Sequence, residues 1–98
     1  MYSVSEITKF LFEIAPKELA LEWDNVGFQV GKAKRLVSRA LLALDITDEV
    51  IEDAVHTDAQ LIISHHPLIF NALNSVTDLD TCGSRVIKLI QNDISAVC

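Results

Sequence analysis

Leu61-Ile62-Ile63-Ser64-His65-His66-Pro67 is the stretch that decides the fold. Leu61, Ile62 and Ile63 are apolar in succession, which predicts a short strand buried on both faces, as in a parallel sheet covered by helices. Pro67 biases His66 away from the helical region, so the chain leaves the strand in a turn or an extended loop. The two imidazoles then fall at the carboxyl end of a strand, where open α/β sheets place their ligand sites. Neighbours on an extended strand point to opposite faces, so a fully extended pair could not share one ion. Diverging there, each ring could hold one ion of a two-metal site whose ions lie about 3.5–4 Å apart. The competing reading is a pair of strand-end histidines bonded to nearby backbone, and spacing alone does not exclude it, because a metal site needs further ligands.

Working outward, Ala40-Leu-Leu-Ala-Leu-Asp-Ile46 is the next strong apolar run and predicts a central strand. Thr47 follows as an N-cap, with Asp48 and Glu49 in the first helical turn, where the helix dipole favours negative charge. Val50, Ile51, Ala54 and Val55 form the buried stripe of a helix ending near Asp58, and Gln60 to Ser64 is the second strand. Strand, helix and strand in this order make a right-handed βαβ unit. Beyond it, Pro67 to Cys82 reads as a loop, of a length that suggests either function or disorder. Gly83-Ser84 opens a last helix with Val86, Ile87 and Ile90 as core candidates, and Ile94 to Cys98 is a third parallel strand.

Toward the amino terminus, Ser3-Val-Ser-Glu6 fits a capping box. Ile7, Phe10, Leu11 and Ile14 continue as a helical apolar stripe with Lys9 and Glu13 outside it. Pro16 stops that helix or starts a short turn at Lys17–Ala20. Glu22 to Gly27 reads as a loop, and Phe28 to Gly31 as a weak strand closed by Gly31. The fold class is therefore α/β, a parallel-sheet βαβ core flanked by helices, with residues 1–98 forming a single partial domain.

Net charge of −6 and a pI near 4.8 repel a phosphate backbone, and Lys32, Lys34 and Arg35 are only a short basic patch, so nucleic-acid binding is disfavoured. Half the residues are hydrophobic and mean hydropathy is +0.32, so either the core is generous or some apolar surface meets a partner. Cys82 and Cys98 lack the spacing of a disulfide framework or a zinc knuckle. Residues 1–16 carry Glu6 and Glu13 and do not resemble a signal peptide, and no apolar stretch approaches a membrane span. The cytoplasm is the default compartment. Ile94-Ser-Ala-Val-Cys98 reads as a strand without a tail behind it, which is expected of a fragment or half-protein.

Several polar groups compete for roles around the histidines. Asp45 stands near the end of the first strand, one strand from His65 and His66. It either caps the backbone entering Thr47, the commoner outcome, or orients an imidazole or acts as a base. Asp24 and Asn25 read as turn formers beside Trp23, itself a core-edge residue. His56 belongs to the solvent side of its helix. Asp78-Leu-Asp80 lacks the glycine and glutamate of an EF-hand loop, and Cys82 has no adjacent base that would make it a nucleophile.

Trp23-Asp-Asn-Val-Gly-Phe-Gln-Val-Gly31, Leu42-Ala-Leu-Asp-Ile-Thr47 and Leu61-Ile-Ile-Ser-His-His-Pro-Leu-Ile-Phe70 together resemble the NIF-three-like family, whose members are labelled GTP cyclohydrolase 1 type 2 homologs or dinuclear metal centre proteins. The blocks keep the family's order and spacing, and the resemblance runs across essentially all 98 residues. It implies the amino-terminal portion of a larger fold that assembles as a homo-oligomer, a hexameric toroid, with two divalent ions in each complete site. Zinc, iron, manganese and magnesium all suit such sites. By that resemblance His65 and His66 are metal ligands, one per ion, while Asp45 and the Asp24-Asn25 loop lie close by. A metal-activated water attacking a ring carbon, ester or amide is the chemistry implied, that of a metal-dependent hydrolase. In the family a His-Thr-Asn-Leu-Asp-like segment and a distant histidine and glutamate complete the ligand set. None of these precedes Cys98, so the site is expected to be incomplete and this chain alone inactive unless a second polypeptide completes it. The alternative is a non-catalytic assembly or partner-binding module that keeps half the fold.

Overall fold

The computed structural model describes residues 1–15 and 25–98. The elements in chain order are β1 (Tyr2–Ser3), α1 (Val4–Ile14), β2 (Phe28–Val30), β3 (Leu36–Val37), β4 (Ala40–Ala43), α2 (Asp48–His56), β5 (Leu61–Ser64), α3 (Thr81–Gln91) and β6 (Ser95–Val97). Four strands form one sheet in the order β2-β6-β5-β4, and β1 pairs with β3 in a separate antiparallel ribbon. β4, β5 and β6 run parallel, while β2 closes the far edge antiparallel to β6. The predicted βαβ unit is β4-α2-β5, and the α/β class holds.

Local chemistry explains where the helices begin. The Ser3 hydroxyl accepts from the Glu6 amide at 3.1 Å while the Glu6 carboxylate accepts from the Ser3 amide at 3.0 Å, completing the expected capping box on α1. These bonds hold the Glu6 carboxyl below its ordinary pKa, through the Ser3 backbone amide first and the hydroxyl second. Thr47 caps α2 by accepting from the Val50 amide at 3.2 Å. The last helix starts at Thr81, two residues before the predicted Gly83, because Asp80 caps it by accepting from the Gly83 amide at 2.6 Å. Asp80 was read from sequence as a loop residue, and its position three before Gly83 was the available signal.

The sheet divides two cores. Ile51 and Ala54 of α2 and Val86 and Leu89 of α3 pack with Ile62 and Ala96 on one face. On the other, Val4 of α1 and Val37 of β3 meet Leu61 and Val97, with Ile7, Leu11 and Ile63 against them. Leu61 and Ile62 are wholly inaccessible, as the expectation of a strand covered on both faces requires.

The first strand differs from expectation. Only Ala40–Ala43 is extended, and β4 is an edge strand, because β6 takes the position on the other side of β5. Among the described residues β4 pairs only with β5. Leu42 is level with Ile63 on the α1 side of the sheet, yet it is 74% exposed, and Leu44 is 67% exposed. Apolar residues that sequence reasoning assigns to a central strand thus form a bare row along an edge.

Asp48 in the first turn of α2 ties that helix to α3. Its carboxylate meets Arg85 at 3.2 Å and Lys88 at 3.4 Å, and these contacts, Arg85 first, hold its pKa below the ordinary value. A folded-state pKa that is lowered contributes stability above the unfolded value, and the contribution disappears as pH falls through the folded one. The urea midpoint of the wild type should therefore exceed that of Asp48→Asn at neutral pH. The gap should close as pH falls below about 4. A gap independent of pH would show that the ion pairs are not its source.

Candidate functional site

The β4–β5 ladder pairs residues with a constant offset, Ala40 with Leu61 through Ala43 with Ser64. Continued two positions past the strands, the same register sets Asp45 level with His66. Past Ser64 the ladder gives way to a bend in which two consecutive amides turn toward the β4 side: the His65 amide donates to the Ala43 carbonyl at 3.0 Å, and the His66 amide to the Leu44 carbonyl at 2.9 Å. As a result His66 Nδ1 lies 2.9 Å from Asp45 Oδ1. An ionised carboxylate only accepts, so this contact selects the tautomer in which Nδ1–H donates and the Nε2 lone pair is left for a ligand.

The two rings do not diverge to opposite faces. Their centroids are 4.8 Å apart with the planes tilted by 58°. β5 ends at Ser64 and the chain bends through the histidines, so strand alternation no longer governs them. The buried Ser64 hydroxyl donates to the His66 carbonyl at 2.7 Å and braces this bend. Two thiols add contacts: Cys98 Sγ donates to the His65 carbonyl and Cys82 Sγ to the Leu68 carbonyl, each at 3.4 Å. Burial pushes the Cys82 thiol up in pKa, with the Asp80 charge acting in the same sense, which keeps it a protonated donor.

On the other flank, Asn25 Nδ2 donates to the Ile69 carbonyl, which places the predicted Asn25 against the segment that follows the histidines. Gln29 reaches the same segment and was not singled out from sequence. Asp24 and Trp23 lie outside the described residues, as do the predicted Pro16 stop and the Lys17–Ala20 turn. His56 is exposed at the end of α2, away from the histidine bend in the sequence of elements, as expected of a solvent-side residue. A surface depression of about 560 Å³ lies along α1, lined by Tyr2, Ile7 and Phe10, and does not include the histidines.

The donor chemistry can be tested directly against a metal. Two exposed imidazoles and one carboxylate bonded to one of them are present, but among the described residues no group of three or more His, Cys, Asp or Glu side chains is arranged to hold an ion. Neutral nitrogen ligands oriented by a carboxylate suit zinc or a similar divalent ion.

Fold and site together define a class: a mixed α/β sheet that presents a histidine pair, backed by an aspartate, at the carboxyl ends of its parallel strands. The family model described as Duf34/NIF3 (NGG1p interacting factor 3) matches residues 2–98, and the chain belongs to this family. A GTP cyclohydrolase 1 type 2 homolog of Clostridium perfringens is 40% identical over 92 residues, covering 94% of this chain and 35% of the relative. The crystal structure of Staphylococcus aureus protein SA1388 superposes with a TM-score of 0.92 at 36% identity, over 99% of this chain and 31% of that one. A Bacillus cereus protein related to NIF3 gives a TM-score of 0.90 at 38% identity, over 98% of this chain and 26% of its own. The chain therefore spans about a third or less of the length of these relatives. No helix among the described residues is long and apolar enough to cross a membrane.

Proposed function

We propose that this chain supplies the paired-histidine part of a dinuclear metal centre in a metal-dependent hydrolase. The observation that carries the reading is the 2.9 Å contact between Asp45 and His66, which orients an imidazole as a ligand at the mouth of a parallel sheet. His65 and His66 would each bind a divalent ion through a ring nitrogen, and Asp45 would hold the His66 ring and tautomer. Such an ion supplies Lewis acidity when bound. Two neutral imidazoles cannot balance two divalent charges, so the remaining ligands come from further polypeptide, in the same chain or a second one. The name carried by the relatives, GTP cyclohydrolase 1 type 2 homolog, agrees with hydrolytic chemistry on a purine-like ring. The complete assembly in this reading is a cytoplasmic homo-oligomer, a hexameric toroid, and zinc, iron, manganese or magnesium would serve.

A second reading is favoured by one specific observation, the bare row of Leu42 and Leu44 on a strand edge that pairs with no further strand among the described residues. Such an edge accepts a partner strand, and an assembly or partner-binding module would use it without chemistry. Zn²⁺ titration combined with solution mass, with and without a chelator, separates the readings. Zn²⁺ uptake that disappears in His65→Ala/His66→Ala, with an assembly that loosens on chelation, is expected for the metal centre. A stable oligomer indifferent to chelator, with no Zn²⁺ uptake, would replace that reading with the binding module.

A further inference from the structure

We propose that Gln29 is a positioning residue for the histidine bend, its side-chain amide clamping the backbone of Leu68 and Ile69 and so fixing how the chain leaves His66. Gln29 Oε1 accepts from the Leu68 amide at 3.0 Å and the Ile69 amide at 3.1 Å. Its Nε2 donates to the Asn25 carbonyl at 2.7 Å and, at a longer 3.5 Å, to the Ile69 carbonyl. A primary amide offers two donors and two acceptor lone pairs, and here all four are used on main chain. Three of those four contacts reach residues 39 or 40 positions away.

The backbone around Gln29 has a matching irregularity. Phe28 pairs with Val97 and Val30 with Ala96, so Gln29 is the extra residue of a bulge in the β2–β6 ladder. Bulges re-aim a side chain out of the regular alternation. β2 lies two strands from β5, with β6 between them. The segment leaving His66 therefore passes over the carboxyl end of β6, and Gln29 meets it on the far side.

This completes a symmetrical restraint. On the β4 side the carbonyls of Ala43 and Leu44 hold the amides of His65 and His66, and the Asp45 carboxylate holds the His66 ring. On the β2 side Gln29, assisted by Asn25, holds the next two residues beyond Pro67. Pro67 has no amide of its own to donate, so residues 68 and 69 carry the first backbone N–H groups after His66 by which the exit can be anchored. Without Gln29 the exit keeps only the contacts of Asn25 to the Ile69 carbonyl and Cys82 to the Leu68 carbonyl, both amides lose their acceptor, and the ring of His66 shifts relative to the Asp45 oxygen.

The inference rests on the metal-centre reading for its consequence, but its geometry is testable without metal. The experiment compares wild type, Gln29→Leu and Gln29→Glu by amide hydrogen exchange, by imidazole nitrogen shifts and by Zn²⁺ affinity. In Gln29→Leu the Leu68 and Ile69 amides should exchange at least about tenfold faster while the Ile62 and Ile63 amides stay protected. His66 should lose its preference for the Nδ1–H tautomer, and Zn²⁺ affinity should fall about tenfold, as when other supports of a ligand histidine are removed. Gln29→Glu keeps an acceptor for both amides and should lie between the two; it carries the test if the leucine variant does not fold. Faster exchange with an unchanged His66 tautomer would overturn the proposal and leave Gln29 a structural tether. If wild type takes up no Zn²⁺ but the tautomer shifts as expected, the positioning role stands and the metal reading fails. If wild type binds Zn²⁺ and the variants match it in affinity and tautomer, the metal reading stands and the positioning role fails.

Discussion

The double variant His65→Ala/His66→Ala is expected to keep its fold and lose Zn²⁺ affinity by about 100-fold or more, since removing even a supporting contact of a ligand histidine costs about 10–100-fold. Retention of the fold follows from where the rings are. Both are exposed, and the bonds that anchor their residues, to the Ala43 and Leu44 carbonyls, use main-chain amides that alanine retains. Asp45→Asn separates support from ligation: it leaves both imidazoles in place but replaces an acceptor-only group with one that can turn its amide toward His66. A loss of about tenfold is expected there. Isothermal titration with Zn²⁺ on the three proteins, with circular dichroism as the fold control, decides the matter. Equal affinity in wild type and double variant would remove the histidines from the site.

Gly31→Ala should be the most destabilising small substitution in the β2 region. Gly31 has φ +120°, and a Cβ built there would lie 2.1 Å from Ser95 Oγ and 2.8 Å from Ser95 Cα. Ser95 is almost wholly buried in β6, and its hydroxyl already accepts from the Lys32 amide at 3.3 Å, so it cannot step aside without loss. A left-handed backbone costs a residue with a Cβ about 1–2 kcal/mol, and overpacking a tight site adds about 1–3 kcal/mol. Against the roughly 5–15 kcal/mol that holds a domain folded, the sum is a large share. A urea midpoint lowered in proportion is the expected outcome. Adding Ser95→Gly should relieve the clash with the Ser95 side chain and leave both the 2.8 Å approach to its Cα and the backbone part. An unchanged midpoint for Gly31→Ala would mean that β2 does not hold this approach to β6 in solution.

The histidine pair was legible because its signal is local: an apolar run, two imidazoles and a proline, in that order. The βαβ unit was legible for the same reason, with Thr47 and the 50–55 stripe marking its helix. What sequence could not give is sheet order. Ala40–Ile46 is as apolar as a central strand, and only the pairing of β6 with the opposite side of β5 makes it an edge. The ring geometry was misjudged because strand alternation was carried two residues beyond the strand's end. Gln29 escaped notice because a glutamine between two apolar residues looks like the outward position of a strand, and its partners lie some forty residues away. Asp45 was weighed as a helix cap against a role beside the imidazoles; Thr47 provides the cap, and the Asp45 carboxylate meets His66.

The constant pairing offset between β4 and β5 also bears on how such a chain can drift over evolutionary time. Because the pairing of β4 with β5, and not the length of the connection between them, brings Asp45 to the level of His66, the pair depends on that register being kept. A slip of one rung displaces the carboxylate by about 3.3 Å along the strand and turns every side chain of β4 to the other face. Selection on this pair is therefore selection on registry, and lineages that keep the histidines and the aspartate must also keep the steps between them.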